Sequence, residues 1–526
     1  MPDPQHTNIP AQRESERAIA ATPHPQAALA AEKILRDGGN AVDAAAAAMC
    51  TLCVVMPGMV GLGGFGGSMV VYLGRERRCI AIDFTAPAPI RFSEELYTAD
   101  PKRLSDSGAL SITFPAVLAG LNAAIRNFGT KTWRDVAAHA ADVAENGVEM
   151  YPQLRRHLAN WEKRTDPESM KALFPTGKIP EAGEMFVQKD LARLIRRIQQ
   201  EGPDALYRGE VPREICRQLQ SRGGILCEED FAGYQPRIEQ PLSIEYRAHR
   251  LFTPPPPSGG ITTFAILKTL EQFDLRAMEP WSADYFHLFA EATKLCWRER
   301  KAVVGDPAFV KMPMERMLSE LVAQERAEQI RRGQLAAEVA SPPAGGSTHT
   351  SNVTVADGEG NVASLTATQG LQFGSQIVIG GYGLVMGHGM SRFDFTPGSP
   401  NFPQPGKRMS HNMAPTIVLR DDQPRFAFGL QGGPRIVTVT AQLALNLINH
   451  ATSPLEALRS PRVHVEADEP LKVSPNMPPT TIAALAAMGH KIVEGEEVGG
   501  DTNVVAIDAG KIRGASTVSA DSVAAL

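Results

Sequence analysis

Cysteine is scarce. Six residues in a chain of 526 are too few to brace it, which excludes a disulfide scaffold and fits free thiols in a reducing cytoplasm. Long hydrophobic runs are missing as well. No stretch of about 18 apolar residues occurs, so no membrane span is expected. The start, Met1-Pro-Asp-Pro-Gln-His-Thr-Asn-Ile-Pro10, lacks the apolar segment of a signal peptide. Nor is there an excess of one charge: 53 basic against 58 acidic residues leave −5, no field for holding nucleic acid. There is no internal repeat, and no linker long enough to divide the chain cleanly. What remains is an ordinary globular composition, 43% hydrophobic and 21% charged, with enough apolar residues for a sizeable core.

Two stretches invite a specific reading and do not sustain it. Pro57-Gly-Met-Val-Gly-Leu-Gly-Gly-Phe-Gly-Gly-Ser68 is glycine-dense. A dinucleotide loop needs strand, glycines, helix, and here the order is helix, glycines, strand. A turn where backbones approach closely is the better reading. Cys50-Thr-Leu-Cys53 has metal or redox spacing, but no second pair lies nearby and both thiols fall on an apolar helix, which reads as core.

Periodicity predicts helices over 26–36 and 44–53, the latter opened by Asn40-Ala-Val-Asp43, then a strand over 69–73. Helices follow at 118–127, 133–146, 188–201 and 211–222; Arg193, Arg196 and Arg197 read as a solvated face. A strand over 246–253 runs into Pro254-Pro-Pro-Pro-Ser-Gly-Gly260. Helices over 261–272 and 283–303 and a charged helical stretch, 312–337, come next. Beyond residue 368 strands and helices alternate to the end.

The informative stretch is Thr348-His-Thr-Ser-Asn-Val-Thr-Val-Ala-Asp-Gly-Glu-Gly-Asn361 with Val362-Ala-Ser-Leu-Thr-Ala-Thr368. It reads as two strands about a glycine-bearing turn. Ser341-Pro-Pro-Ala-Gly-Gly-Ser347 before it is small and helix-hostile. A loop that delivers a threonine to the head of a strand suits a self-cleaving precursor. The Thr350 hydroxyl can attack the His349 carbonyl, and hydrolysis of the ester frees the Thr350 amine. That amine titrates near ~7.7–8 and can serve its own hydroxyl as base. Many such loops are only loops.

The chain resembles the γ-glutamyltranspeptidase family of N-terminal nucleophile hydrolases over nearly its full length. The likeness rests on Gly38-Gly-Asn-Ala-Val-Asp43, Gly61-Leu-Gly-Gly64, Asp83-Phe84, Glu201-Gly-Pro-Asp204, Pro254 to Gly260, Gly305-Asp-Pro307, Pro415-Thr-Ile417, Gly432-Gly433 with Arg435, and Gly514-Ala-Ser516. It implies an α+β fold, a four-layer αββα sandwich, built as one domain from two products: a large subunit, 1–349, and a small one, 350–526. It implies cleavage between His349 and Thr350, with Thr350 as nucleophile. Thr368 matches the threonine that holds the nucleophile's amine, and Gly432 and Gly433 match the oxyanion pair. No cofactor and no metal is implied. The partners expected are a small-molecule amide and the heterodimer of the chain's own products, which can dimerise further; nucleic acid and membrane are not expected.

The glutamyl-binding pattern is altered. The family's arginine after Asp83-Phe84 is Thr85 here. Two serines are His411 and Asn412, an asparagine is Gly370, and an Asn-Asn-Gln-Met-Asp-Asp-Phe segment is Gly387-His-Gly-Met-Ser-Arg-Phe393. A site for a zwitterion has lost its carboxylate clamp and its ammonium partners, and has gained a cation. Arg392 can grip a carboxylate with two hydrogen bonds, with His388, His411 and Asn412 as candidate neighbours, though each also suits a turn and Arg392 a loop salt bridge. The expected substrate carries an acid and no α-amine, as a dicarboxylic monoamide does; oxamate amidohydrolase and glutaryl-type cephalosporin acylases are branches of that kind. A glutathione hydrolase with a rewired pocket and an uncleaved, non-enzymatic relative are the alternatives.

Overall fold

The stretch from Thr348 folds as an antiparallel hairpin, Thr348–Ala356 against Val362–Leu371. The computed structural model describes residues 10–98, 107–333, 348–495, 498–508 and 510–526. The segment Ser341 to Ser347 and the end of the charged stretch 312–337 lie outside the described residues. At the hairpin turn only Gly360 takes a positive φ, +81°. The Asp357 carboxylate shapes the rest by accepting the N–H groups of Glu359 and Asn361. It also accepts the Ala41 N–H at 2.8 Å, tying the turn to the start of a helix in the next layer.

That helix, Ala41–Val55, begins at an Asn40 cap with Asp43 returning the bond, and all its side chains are buried. Alanine after alanine leaves little bulk between its backbone and the sheet beneath. The hairpin lies near the middle of that seven-stranded sheet, ordered Val523–Ala525, Ile19–Ala21, Thr348–Ala356, Val362–Leu371, Gly66–Leu73, Arg78–Asp83, Arg237–Glu239. A second seven-stranded sheet runs Ala11–Ser15, Lys511–Ser516, Thr502–Asp508, Gln423–Leu430, Thr416–Arg420, His249–Thr253, Leu242–Tyr246. Ladder pairs in both are antiparallel.

Val70 and Tyr72 of the first sheet share a core with Phe252, Ile417 and Val505 of the second. The first sheet's other face meets Pro25–Arg36, Ala41–Val55 and Val117–Phe128. The second is covered by Gly260–Leu270, Ala283–Val303 and Arg435–Ile448. Helix, sheet, sheet, helix is the four-layer order expected.

The glycine run is the close-approach turn that its order suggested. A Cβ on Gly64 would stand 2.6 Å from the Thr368 carbonyl, and one on Gly67 2.3 Å from that of Thr366. Cys50 and Cys53 are free and buried in the core, and burial pushes the Cys50 thiol up to about 12. Three elements differ from expectation. The charged stretch 312–337 holds two helices among its described residues, Met314–Met317 and Glu320–Arg331, the second capped by Ser319. The strand over 246–253 is two, Leu242–Tyr246 and His249–Thr253, turned by Arg247 and Ala248 at φ +48° and +61°. Arg247 is held there by its N–H on Glu271 and its guanidinium on the Phe273 carbonyl. The helix over 133–146 divides at Ala137 into Trp133–Val136 and Ala138–Asn146. No helix among the described residues is long and apolar enough to cross a membrane.

Candidate functional site

Alternation along the leading strand sends Thr350, Asn352 and Thr354 to one face. The hairpin register slips between His349 and Ser351, at the threonine. There the Thr350 hydroxyl donates to Thr368 Oγ1 at 3.3 Å. Thr368 Oγ1 in turn donates to the His349 carbonyl at 2.5 Å and accepts the Gly370 N–H at 2.9 Å. One proton given and two accepted fill a hydroxyl's capacity, so Thr368 is fixed. Its donated bond polarises the carbonyl that precedes Thr350.

A cavity of about 460 Å³ opens at this point. Thr350, Thr368, Gly433, Arg392, His411 and Asn412 all line it. Gly432 faces a second recess of about 280 Å³, with His349, His157 and Arg435, so the glycine pair stands between the two. Their φ values, +138° and +59°, suit glycine, and they lead into the N-terminus of helix Arg435–Ile448, where backbone N–H groups favour negative charge.

His388 is not on the wall. It is fully buried, behind Arg392. An arginine only donates, so Arg392 Nη2 donates to His388 Nε2 at 2.7 Å, while His388 Nδ1 lies 3.0 Å from the Gln369 carbonyl and 2.9 Å from the Leu371 N–H. Burial, then the Arg392 guanidinium, hold this imidazole well below its ordinary pKa. The ring fills the space beside Gly370, where a Cβ would fall 1.9 Å from His388 Cε1 and φ is +97°. A side chain at 370 and this position of the His388 ring exclude each other.

His411 is pushed down to about 4 by burial, with Arg300 and Arg408 acting the same way, so it lines the cavity as a neutral ring. Arg300 was not expected here. It donates to the His411 carbonyl at 2.8 Å and to Asn412 Oδ1 at 3.2 Å, setting the loop that carries both. Trp297, Lys301 and Val304 reach the cavity from the same helix. Spacing 297, 300, 301, 304 is one helical face, a signal that was present in the sequence but does not say which face meets a cavity.

Thr85, where the family likeness led one to look for an arginine, is wholly buried and its N–H donates to Asp83. Asp83 pairs instead with Arg408 at 2.6 Å. Two carboxylates also line the cavity. Asp394 accepts the Thr396 N–H. Glu466 is raised toward neutrality by burial, against the pull of Lys301 and Arg300. A hydroxyl beside a polarised carbonyl and glycine N–H groups at a helix start are equipment for acyl transfer.

Paired antiparallel sheets between helical layers, with Thr350 and Thr368 of two adjacent central strands lining one cavity, are the arrangement of the N-terminal nucleophile hydrolases. The chain belongs to the gamma-glutamyltranspeptidase family, whose model matches residues 27–526, and it is an enzyme, a hydrolase of that family. It is 34% identical over 519 residues to the Acylase ACY 1 proenzyme of Pseudomonas sp. (strain SE83), 96% of this chain and 92% of that one. It is 31% identical over 513 residues to the Glutathione hydrolase proenzyme of Escherichia coli K12, 92% and 87% of the two chains. The crystal structure of cephalosporin acylase from Bacillus halodurans superposes with a TM-score of 0.91 at 27% identity, covering 100% and 99%.

Proposed function

We propose that the chain cuts itself between His349 and Thr350 and that the product is an amidohydrolase for substrates bearing a carboxylate and no α-amine. The observation that carries this reading is the hydrogen bond from Thr368 to the His349 carbonyl in the uncut chain, beside the Thr350 hydroxyl. In maturation Thr350 Oγ1 adds to that carbonyl carbon, the C–N bond breaks, and the acyl group passes to oxygen. Water then hydrolyses the ester, leaving residues 1–349 and 350–526 as a heterodimer with a new amine on Thr350.

The same oxygen serves turnover. The Thr350 amine takes the hydroxyl proton as Oγ1 attacks the substrate amide. The N–H groups of Gly432 and Gly433 hold the oxyanion; losing one such donor typically raises the barrier by ~2.7–4 kcal/mol. The protonated amine gives its proton to the leaving nitrogen, and water, deprotonated by the same amine, releases the acid. No metal is needed for these steps. Arg392 holds the substrate carboxylate, His411 and Asn412 border the acyl chain, and His388 keeps Arg392 in place.

An oxamate-like monoamide satisfies the charge, but a cavity of about 460 Å³ has room for much more, since pockets of about 300–1,000 Å³ hold drug-sized ligands. That volume favours a second reading, a glutaryl-length acyl group on a bulky amine, in line with the acylase relatives. Parallel turnover of oxamate, a glutaryl amide and γ-glutamyl-p-nitroanilide separates the readings. Either acid-only substrate ahead of the γ-glutamyl compound supports the proposal; preference for γ-glutamyl-p-nitroanilide overturns it in favour of glutathione hydrolysis.

A further inference from the structure

Two imidazoles face each other far from the cavity, near the start of the long helix Ala283–Val303. His287 Nδ1 and His490 Nε2 are 2.9 Å apart. Glu291 lies one turn further along the same helix, and the ligand atoms of the three residues fall within 4.8 Å of one another. His490 comes from the turn between helix Pro479–Ala487 and strand Ile492–Val493, so the group joins two separate elements. His490 and Glu291 are buried and His287 is part-exposed.

The orientation of His490 is set from behind. Its Nδ1 lies 2.9 Å from Glu469 Oε1. A carboxylate only accepts, so Nδ1 carries the hydrogen and Nε2 accepts from His287 Nδ1 when no ion is bound; to ligate, His287 shifts that hydrogen to its own Nε2. A carboxylate on the far nitrogen is the usual support of a metal-bound histidine. Lys294 donates to Glu291 Oε1 at 2.8 Å and also pairs with Glu469.

We propose that His287, Glu291 and His490 bind one transition-metal dication of the zinc type, with water as the remaining ligand. Two nitrogens at ~2.0–2.1 Å from zinc in a tetrahedral site are about 3.3 Å apart; the rings need to part by only a few tenths of an ångström. Glu291 supplies a carboxylate oxygen, which closes in from within 4.8 Å of the ring nitrogens. Imidazole pairs suit zinc, copper and nickel rather than magnesium or calcium. The ion clips the turn at His490 to the long helix. Arg300 lies 13 residues beyond His287 on that helix, about 20 Å along its axis, so the metal takes no part in the acyl chemistry.

The test uses the mature enzyme, stripped with a chelator, dialysed and titrated with zinc alone. Bound zinc is measured by mass spectrometry of the metal after gel filtration, beside the melting temperature. One equivalent per chain and a melting temperature higher by several degrees are expected, with neither from magnesium. His287→Ala, at a part-exposed position, should lose the equivalent while keeping the wild-type circular dichroism spectrum. Glu469→Gln should weaken zinc binding by about 10–100-fold. No retained zinc in the wild type at micromolar free metal overturns the proposal, and so does a full equivalent retained by His287→Ala.

Discussion

A hydroxyl has one hydrogen, and Thr368 commits its own to the His349 carbonyl. Thr368→Val keeps the shape and removes the donor. Cleavage of the freshly made chain, followed on denaturing gels, should slow by about 10²–10³-fold, the scale for one oxyanion-type donor. Unchanged cleavage would place the polarising group elsewhere. Arg392 carries the prediction about substrate. Arg392→Ala should cut kcat/KM for a carboxylate-bearing amide by about 10–100-fold, in proportion to one or two charge-assisted bonds, and barely alter a neutral amide of equal size. An equal loss on both would make Arg392 a structural residue only. The small residues and the strand after them drew attention to Thr348 and Thr350 alike; the family likeness, through the spacing to Asp357, is what singled out Thr350. Arg300 did not stand out, because an arginine on an amphipathic helix has the same pattern whether it faces water or a loop such as that at His411. The link between Gly370 and His388 was equally hidden, since it depends on two residues 18 apart meeting within one van der Waals contact.

At the scale of elements, the glycine run from Gly61 is the bed on which the Thr368 strand lies. A methyl at Gly64 meets the Thr368 carbonyl at 2.6 Å and the Gly61 carbonyl at 2.9 Å, both backbone atoms that cannot swing aside. Gly64→Ala should lower stability by about 1–3 kcal/mol, read as an earlier urea midpoint, and should slow cleavage as well. Gly177→Ala, with open space around it but a φ of +72°, is the control: it should cost some stability and leave cleavage alone. Helices with strong periodicity and caps were legible, as Asn40 with Asp43 illustrates. The turn at Arg247 and Ala248 was not, because neither residue is a turn former and the conformation is maintained by Glu271 and Phe273 from elsewhere in the chain.

At the scale of the whole molecule, burial of neutral imidazoles makes the fold acid-sensitive. Burial pushes His411 down to about 4 in the folded chain, from an ordinary 6.5. Below about 6.5 the unfolded chain binds the extra proton and the folded one does not. Stability therefore falls as pH drops from about 6.5 towards 4, by on the order of 3 kcal/mol for one such group. His464 is pushed further, to about 3, by burial and by Arg435. Melting temperatures across this window should decline, and His411→Asn should flatten the decline; a profile unchanged by that substitution would remove His411 from the account. The four-layer architecture followed from the family likeness rather than from periodicity. Strand positions alone do not say which of two sheets a strand joins, as Arg78–Asp83 and Thr416–Arg420 do on opposite sides of one core.

The central claim is that the backbone opens ahead of residue 350 and that the new terminus does the chemistry. Intact-mass spectrometry with N-terminal sequencing of the active enzyme tests it most directly. The account predicts two polypeptides, the smaller beginning at Thr350, and a single unbroken, inactive chain for Thr350→Ala. Full turnover from a preparation that still has the mass of all 526 residues would contradict it.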